Sequence, residues 1–130
     1  MHASTVQTVL IVDDNRDAAD ALAMALQGYG HEVAAAYSAR EALDLLDENP
    51  QIQLVVSDIR MPDVSGFDFR RVVRHRFPDL SMILITGNPV TNEDIVPRDV
   101  AILQKPVAAS DLHQLIVELR NRIAGDKTPR

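Results

Sequence analysis

The sequence predicts a doubly wound α/β fold with five parallel strands in the order 2-1-3-4-5. Short β-branched runs alternate with longer segments whose apolar residues recur every three or four positions, which is the pattern of a repeated strand and helix unit. With 130 residues, the chain is long enough for one hydrophobic core and too short for two ordinary ones. We therefore expect a single domain over residues 1–124 and a flexible tail over 125–130.

The first half of the chain predicts three strands and two helices. Thr8–Asp14 begins with a continuous apolar run, as expected of a strand that is covered on both faces of a parallel sheet. After Asn15, alanines and leucines at helical spacing predict the first helix, which should end near Gly28. Ser38 and Glu41 have the spacing of a capping box and predict the start of the second helix. The second and third strands are predicted over HEVAAAYS and QIQLVVSD.

The second half predicts two more strands and up to three helices. GFDFRRVVRHRF has helical character and ends at Pro78, while Ser110–Ile123 repeats leucines and isoleucine on one face of a final helix. The fourth and fifth strands are predicted over SMILITG and DVAILQKP. Between them, Asn88–Arg98 carries two prolines that bracket at most about two helical turns. The fourth helix is therefore predicted to be short or irregular.

Composition and charge exclude several classes of protein. No apolar run approaches the roughly 20 residues that a membrane-spanning helix needs, and the N-terminal residues lack the features of a signal peptide. The chain has no cysteine, which agrees with a reducing compartment, so we expect a cytoplasmic protein with no membrane partner. A net charge of -6 argues against nucleic-acid binding. The basic run Arg70–Arg76 is interpreted as a solvated helix face.

Polar residues stand where the predicted strands end. The first strand ends in Asp13 and Asp14, the third in Asp58, the fourth in Thr86 and the fifth in Lys105. In an open parallel sheet, sites form beyond the carboxyl ends of the strands, near the point where strand order reverses. Because strands one and three are predicted neighbours, three carboxylates should converge at this edge and repel one another unless a cation is present.

These residue types favour a site for a phosphoryl group. Oxygen ligands without nearby Cys or His suit a hard divalent cation such as Mg²⁺, and the four histidines are scattered along the sequence. Lys105 and the Thr86 hydroxyl have the chemistry to hold an anionic group. A carboxylate can accept a phosphoryl group as an acyl phosphate. Asp58 is the best candidate because its strand lies at the centre of the predicted sheet.

Four stretches in this order resemble a known family. LIVDDN, VVSDIRMPDVSG, ILITG and ILQKP are similar to the motifs of the receiver domain of bacterial two-component response regulators, over about residues 7–124. The resemblance implies a flavodoxin-like fold. It also implies that a histidine kinase or a histidine phosphotransfer protein donates the phosphoryl group, and that the chain catalyses only its own phosphorylation and slow dephosphorylation. The downstream protein target is unknown.

The resemblance implies a role for each matching position. Asp58 matches the phosphoacceptor, and Lys105 the cation that pairs with the phosphoryl oxygens. Asp13 and Asp14 match the acidic pair that binds Mg²⁺ or Mn²⁺. The other ligands of the metal would be Asp58 and the backbone carbonyl of Arg60. Pro62 and Gly66 match the loop that shapes the pocket.

The switch positions depart from the family pattern. Thr86 matches the switch hydroxyl, but Ile102 stands where the family normally has an aromatic residue. The spacing from Thr86 to Lys105 is also shorter than usual. Both departures fall on the face that carries partner contacts and dimerisation in the family. We therefore expect the way in which this face contacts partners to differ from that of most family members. The chain is expected to be a monomer or a phosphorylation-dependent dimer.

Other functions stay open at this point. A haloacid-dehalogenase-like phosphatase also uses an aspartate with Mg²⁺, but it generally needs a second Asp two positions later, where this chain has Arg60. A nucleotide- or flavin-binding domain would need a glycine-rich loop after the first strand, and Asp13 and Asp14 stand there instead. A receiver-like interaction module that is never phosphorylated is a third alternative. The sequence also leaves open whether the chain is a stand-alone protein or a fragment of a larger regulator.

Overall fold

The computed structural model describes residues 8–87 and 100–126 of the chain. Its strands form one parallel sheet in the order β2-β1-β3-β4-β5, which confirms the predicted topology. The strands are β1 (Thr8–Val12), β2 (Glu32–Ala36), β3 (Leu54–Asp58), β4 (Ser81–Thr86) and β5 (Ala101–Gln104). The helices of the described part are α1 (Arg16–Gly28), α2 (Ala39–Glu48), α3 (Gly66–Arg76) and α4 (Ala109–Asp126).

Two predictions fall on residues that the structure does not describe. The segment Asn88–Arg98, where a short or irregular helix was expected, lies outside the described residues, and so do residues 127–130 of the predicted tail. No helix in the described ranges is long and apolar enough to cross a membrane.

The sheet is covered on both faces by separate apolar clusters. On the side of α2 and α3, alternate strand residues such as Leu10, Val55 and Leu84 pack together. Their neighbours in the chain, such as Ile11 and Ile83, pack on the side of α1 and α4. Successive side chains of a strand point to opposite faces, so a strand buried on both faces has to be apolar at every position. The continuous apolar runs of the sequence have this cause.

Short polar side chains start the helices that frame the sheet. The Asn15, Ser38 and Ser65 side chains accept hydrogen bonds from backbone N–H groups three residues later, each at 3.1 Å. The predicted cap at Ser38 is therefore confirmed, and Ser65 is a further cap that the sequence analysis did not identify. These caps satisfy N–H groups that the first turn of a helix cannot pair.

Strand register aligns the carboxyl ends of the central strands. Val12 of β1 is paired with Ser57 of β3, and Asp58 is paired with Ile85 of β4. Thr86, the last residue of β4, is paired with Gln104 of β5. The polar residues that follow these positions therefore emerge along one edge of the sheet.

Candidate functional site

Three carboxylates meet at this edge. One oxygen from each of Asp13, Asp14 and Asp58 lies within 4.8 Å of the others. The side chains of Asp13 and Asp58 are only 12% and 10% exposed, whereas Asp14 is exposed to solvent. The structure therefore brings together the three acidic residues predicted from the sequence. Their carboxylate oxygens are the type of ligand that a hard divalent cation prefers.

The backbone orients two of these carboxylates in the same way. The Asn15 N–H donates to Asp13 Oδ1 at 3.0 Å, and the Arg60 N–H donates to Asp58 Oδ1 at 3.0 Å. In each case an aspartate at the end of a strand accepts from the residue two positions later, which is the geometry of an Asx turn. One oxygen of each carboxylate is thereby held by the protein.

Lys105 supplies the positive charge of the site. Its Nζ lies 2.7 Å from Asp58 Oδ2 and 3.7 Å from Asp13 Oδ2. The Lys105 N–H donates to the Thr86 carbonyl at 2.7 Å, so the backbone that carries the lysine is joined to the end of β4. The lysine therefore partly neutralises the acidic cluster from the β5 side.

Burial makes the ionised form of Asp13 costly. Loss of solvent raises the pKa of the Asp13 carboxyl above 3.8, although the Asn15 N–H and Lys105 act to lower it; the charges of Asp58 and Asp14 also raise it. Burial is therefore the main reason that the ionised Asp13 carboxylate is costly, and the charges of Asp58 and Asp14 add to that cost. A bound divalent cation would offset the cost by placing positive charge beside the carboxylate.

The same contacts change the titration of Lys105. Burial acts to lower the pKa of its ammonium group, but the hydrogen bond and charge of Asp58, together with the charge of Asp13, outweigh burial and raise the pKa above 10.5. A lysine whose pKa is raised in the folded state contributes to the stability of the fold, and this contribution is fully present at pH values below the pKa of the unfolded state. That contribution is lost as pH rises through the folded-state pKa.

This shift can be tested because the chain has only two lysines, Lys105 and Lys127. In a pH titration of lysine side-chain resonances by NMR, we expect Lys105 to titrate above 10.5. In Asp58→Asn the Lys105 pKa should fall, because the closest carboxylate is removed while the burial remains. A Lys105 titration that is the same in both proteins would contradict the ion pair.

Gly66 packs against the backbone at the end of β3. A Cβ atom at this position would lie 2.6 Å from Ile59 Cα and 2.8 Å from the Asp58 carbonyl oxygen. The Gly66 N–H donates to the Ile59 carbonyl at 2.6 Å, which closes the loop between β3 and α3. Only glycine allows this approach, so the loop position that the family resemblance singled out has a physical reason here.

A shallow depression of about 490 Å³ opens beside the acidic cluster. Three of its lining residues are polar or charged and three are apolar. They are Asp14, Arg60 and Ser65, and Ile59, Met61 and Pro62. Arg60 therefore lies at the site, at the mouth of the loop, while the metal-binding role of its carbonyl stays a prediction. The depression reaches the acidic cluster at Asp14, and two of its lining residues, Ile59 and Arg60, directly follow Asp58 in the chain.

The two switch positions lie on neighbouring strands. Thr86 is 7% exposed at the end of β4. Ile102 lies on β5 opposite Leu84 and is partly buried against the apolar cluster of α2 and α3. The switching roles of both residues stay predictions, and Ile102 contributes an aliphatic contact at the aromatic position of the family.

A second polar cluster at this edge was missed by the sequence analysis. The Tyr37 hydroxyl donates to Asp20 Oδ1 at 2.7 Å, and the Arg16 guanidinium lies 4.2 Å from the centroid of the Tyr37 ring. The hydrogen bond to Asp20 is the largest cause that raises the pKa of Tyr37 above 10.0. Tyr37 follows the last residue of β2, so the rule that located the other residues at strand ends would also have found it.

Two of the four histidines come together away from the site. His31 Nε2 lies 2.8 Å from His113 Nδ1, between the start of β2 and α4, and the Tyr29 ring stacks on His113 with centroids 4.3 Å apart. His31 is 3% exposed. This cluster joins α1 and α4 and does not contribute to the acidic edge.

Comparisons with known proteins agree on one family. Residues 9–117 match the family model described as the response regulator receiver domain. The C4-dicarboxylate transport transcriptional regulatory protein DctD of Rhizobium meliloti is 36% identical over 114 residues, which are 85% of this chain and 25% of that protein. Response regulator MprA of Mycobacterium sp. (strain KMS) is 31% identical over 124 residues, which are 93% of this chain and 54% of that protein. The chain therefore spans about a quarter to about half of the length of these relatives.

A solved structure supports the same assignment of the fold. The response regulator receiver domain protein from Clostridium thermocellum superposes with a TM-score of 0.83 at 30% sequence identity. The match covers 92% of this chain and 98% of that protein.

Proposed function

The chain belongs to the response regulator receiver domain family, and on this premise we propose that it accepts a phosphoryl group on Asp58 in a Mg²⁺-dependent reaction. The observation that carries the proposal is the arrangement around Asp58, which lies 2.7 Å from Lys105 and within 4.8 Å of two further carboxylates. The family is a signalling family, so we expect no reaction beyond the chain's own phosphorylation and slow dephosphorylation. The donor would be a histidine kinase or a histidine phosphotransfer protein.

In the proposed reaction an Asp58 oxygen attacks the phosphorus of a phosphohistidine. The new bond joins the carboxylate oxygen to phosphorus, the bond between phosphorus and the imidazole nitrogen breaks, and the electron pair leaves with the imidazole. In the free protein the Arg60 N–H holds Oδ1 and Lys105 pairs with Oδ2, so both contacts orient the carboxylate before the reaction. Lys105 would then pair with the phosphoryl oxygens.

The residues at the edge fit a hard divalent cation. Mg²⁺ or Mn²⁺ would be held by the carboxylates of Asp13, Asp14 and Asp58 and by the Arg60 carbonyl. When bound, such a cation would neutralise charge on the phosphoryl oxygens. The raised pKa of Asp13 supports this assignment, because burial first, and then the charges of Asp58 and Asp14, make the ionised carboxylate costly, and a cation would favour the ionised form.

The phosphoryl group would bias the nearby surface between two states. It adds roughly -1.5 to -2 charge at neutral pH, and this charge would attract Lys105 and the Thr86 hydroxyl. Thr86 and Ile102 lie on adjacent paired strands, so movement of the threonine can be transmitted to the isoleucine. With Ile102 the change would be a shift in aliphatic packing. We propose residues 1–124 as the receiver unit, acting on a downstream protein target as a monomer or a phosphorylation-dependent dimer.

Acetyl phosphate tests the proposal with the wild-type chain. We expect a mass gain of one phosphoryl group on incubation with acetyl phosphate and Mg²⁺, and no gain when EDTA is added, because the carboxylates need the metal to bind another anion. Intact mass spectrometry measures the gain, and amide NMR shifts near Asp58 provide a second measurement. A wild-type protein with no Mg²⁺-dependent change by either method would support the alternative of an interaction module that is not phosphorylated.

A further inference from the structure

The solvent face of α3 is strongly basic. Phe69 and Val73 are 1% and 0% exposed and fix the inner side of this helix against the sheet. On the opposite side, Arg71, Arg74 and His75 are exposed, one helical turn apart. Four of the 13 Lys and Arg residues of the chain fall within Gly66–Arg76, although the chain as a whole has a net charge of -6. Two of these four, Arg71 and Arg74, lie on the exposed face, whereas Arg76 pairs with Asp47 at 2.6 Å, so the face has the opposite sign of charge to the chain as a whole.

Within residues 8–87 and 100–126, the ion pair of Arg71 contributes little to the stability of the fold. The Arg71 to Asp68 pair spans 3.3 Å, but its side chains are 75% and 61% exposed, so it contributes little to stability. Cations in the last turn, such as Arg74 and Arg76, compensate the partial negative charge of a helix C-terminus, whereas Arg71 lies in the middle of the helix. Val72, beside Arg71, is 40% exposed and adds an apolar side chain to the face.

We propose that the Arg71, Val72 and His75 face of α3 is a docking surface for an acidic segment of a partner protein that carries an apolar side chain. Guanidinium groups bind carboxylates with two parallel hydrogen bonds, and an exposed apolar residue between charges gives a contact that excludes water. Charge complementarity selects the occupant. An acidic amphipathic helix presents this combination at the spacing of the α3 side chains.

Other occupants fit the charges less well. A symmetric contact between two copies of the chain would place this basic face against itself, so the Arg71 and Arg74 guanidinium groups of both copies would come together as like charges. A nucleic acid would meet the repulsion of a chain with a net charge of -6, and would gain little from Val72. These occupants are outcomes of the test below.

The start of α3 connects this face to the phosphorylation site. Gly66, the first residue of α3, packs against the carbonyl of Asp58 and donates to Ile59. A change at Asp58 therefore acts directly on the helix that carries the surface. This part of the inference rests on the proposed function, and it predicts that partner affinity differs between the free and phosphorylated states.

An acidic peptide provides the probe. We would titrate the full chain with a helical peptide of Leu at every third or fourth position and Glu elsewhere, and with the same peptide carrying Lys in place of Glu. Amide shifts on adding the Glu peptide should concentrate in Gly66–Arg76, weaken with added salt, and be absent with the Lys peptide. Arg71→Glu should weaken binding by about tenfold, while Arg40→Glu, the same charge change at an exposed position of α2, should have less than about a twofold effect.

Several outcomes would overturn the inference. These are equal affinities for Arg71→Glu and Arg40→Glu, shifts that lie outside α3, tighter binding of a DNA duplex than of the Glu peptide, or self-association of the chain that Arg71→Glu removes. Val72→Ser provides a second variant without a charge change and should weaken binding by about threefold. Circular dichroism checks that each variant stays folded.

Beryllofluoride with Mg²⁺, which imitates the phosphoryl group, tests the connection to Asp58. A peptide affinity that is unchanged while the Asp58 amide shifts would refute the coupling between the site and α3. If the Asp58 amide does not shift, the result counts against the proposed function. The docking surface on α3 is then still tested by the affinity of the Arg71→Glu, Arg40→Glu and Val72→Ser variants for the peptide without beryllofluoride.

Discussion

Asp58→Asn is expected to abolish the Mg²⁺-dependent gain of a phosphoryl group from acetyl phosphate. The amide oxygen is a far weaker nucleophile than a carboxylate, and the substitution also removes one of the three carboxylates that would hold the metal. The change is nearly isosteric, so the Arg60 N–H keeps an oxygen acceptor at this position. Intact mass after a fixed incubation measures the loss, and urea unfolding checks that the fold is kept.

Asp63→Asn is the matched control. Asp63 lies in the same loop and is exposed, and its Oδ2 accepts a hydrogen bond from the Arg40 N–H at 3.4 Å, outside the acidic cluster. This variant should gain a phosphoryl group as the wild type does, because it keeps all three clustered carboxylates and Lys105. A phosphoryl gain in Asp58→Asn equal to that of the wild type would show that the acceptor is another residue.

Gly66→Ala should destabilise the fold and disturb the site at the same time. The added Cβ would lie 2.6 Å from Ile59 Cα and 2.8 Å from the Asp58 carbonyl oxygen, and these are backbone atoms that cannot rotate away. Overpacking of this kind costs about 1–3 kcal/mol in free energy of unfolding, and sometimes more. Relief requires the end of β3 or the start of α3 to move. We therefore also expect weaker Mg²⁺ binding, because Asp58 and Arg60 lie on the displaced segment.

Gly28→Ala separates this effect from the general cost of losing a glycine. No atom lies within 4 Å of a Cβ placed at Gly28, the last residue of α1, and its φ is not positive. The substitution should leave Mg²⁺ affinity unchanged and be neutral or stabilising by up to about 1 kcal/mol. Urea unfolding and Mg²⁺ titration of both variants provide the comparison. Equal stability and equal metal affinity for the two variants would contradict the close approach of Gly66 to β3.

Much of the fold could be predicted because its signals are local. The apolar run of β1, the helical spacing after Asn15 and the cap at Ser38 each depend on residues close together in the chain. Strand order followed from the right-handed crossovers that short connections allow. The convergence of Asp13 and Asp58 then followed from topology, because the carboxyl ends of neighbouring parallel strands share an edge.

Contacts between distant segments could not be predicted in this way. The Tyr37 to Asp20 hydrogen bond joins β2 to α1, and the His31 to His113 contact joins residues 82 positions apart. In both pairs the sequence around each residue is ordinary, so only the packed arrangement of the elements makes them neighbours. The cap at Ser65 was missed for a different reason, since the irregular loop before it has no periodic pattern to mark where α3 begins.

The sequence by itself determined which chemical groups stand at the strand ends, because strand period, turn residues and topology all follow from the order of the residues. The tertiary structure alone decided how those groups interact. Burial raises the pKa of Asp13, Lys105 comes within 2.7 Å of Asp58 across 47 positions of the chain, and Gly66 fits against the end of β3 where no side chain could. These properties depend on solvent exclusion and on distances between separate elements, and both arise only when the sheet and its helices pack together.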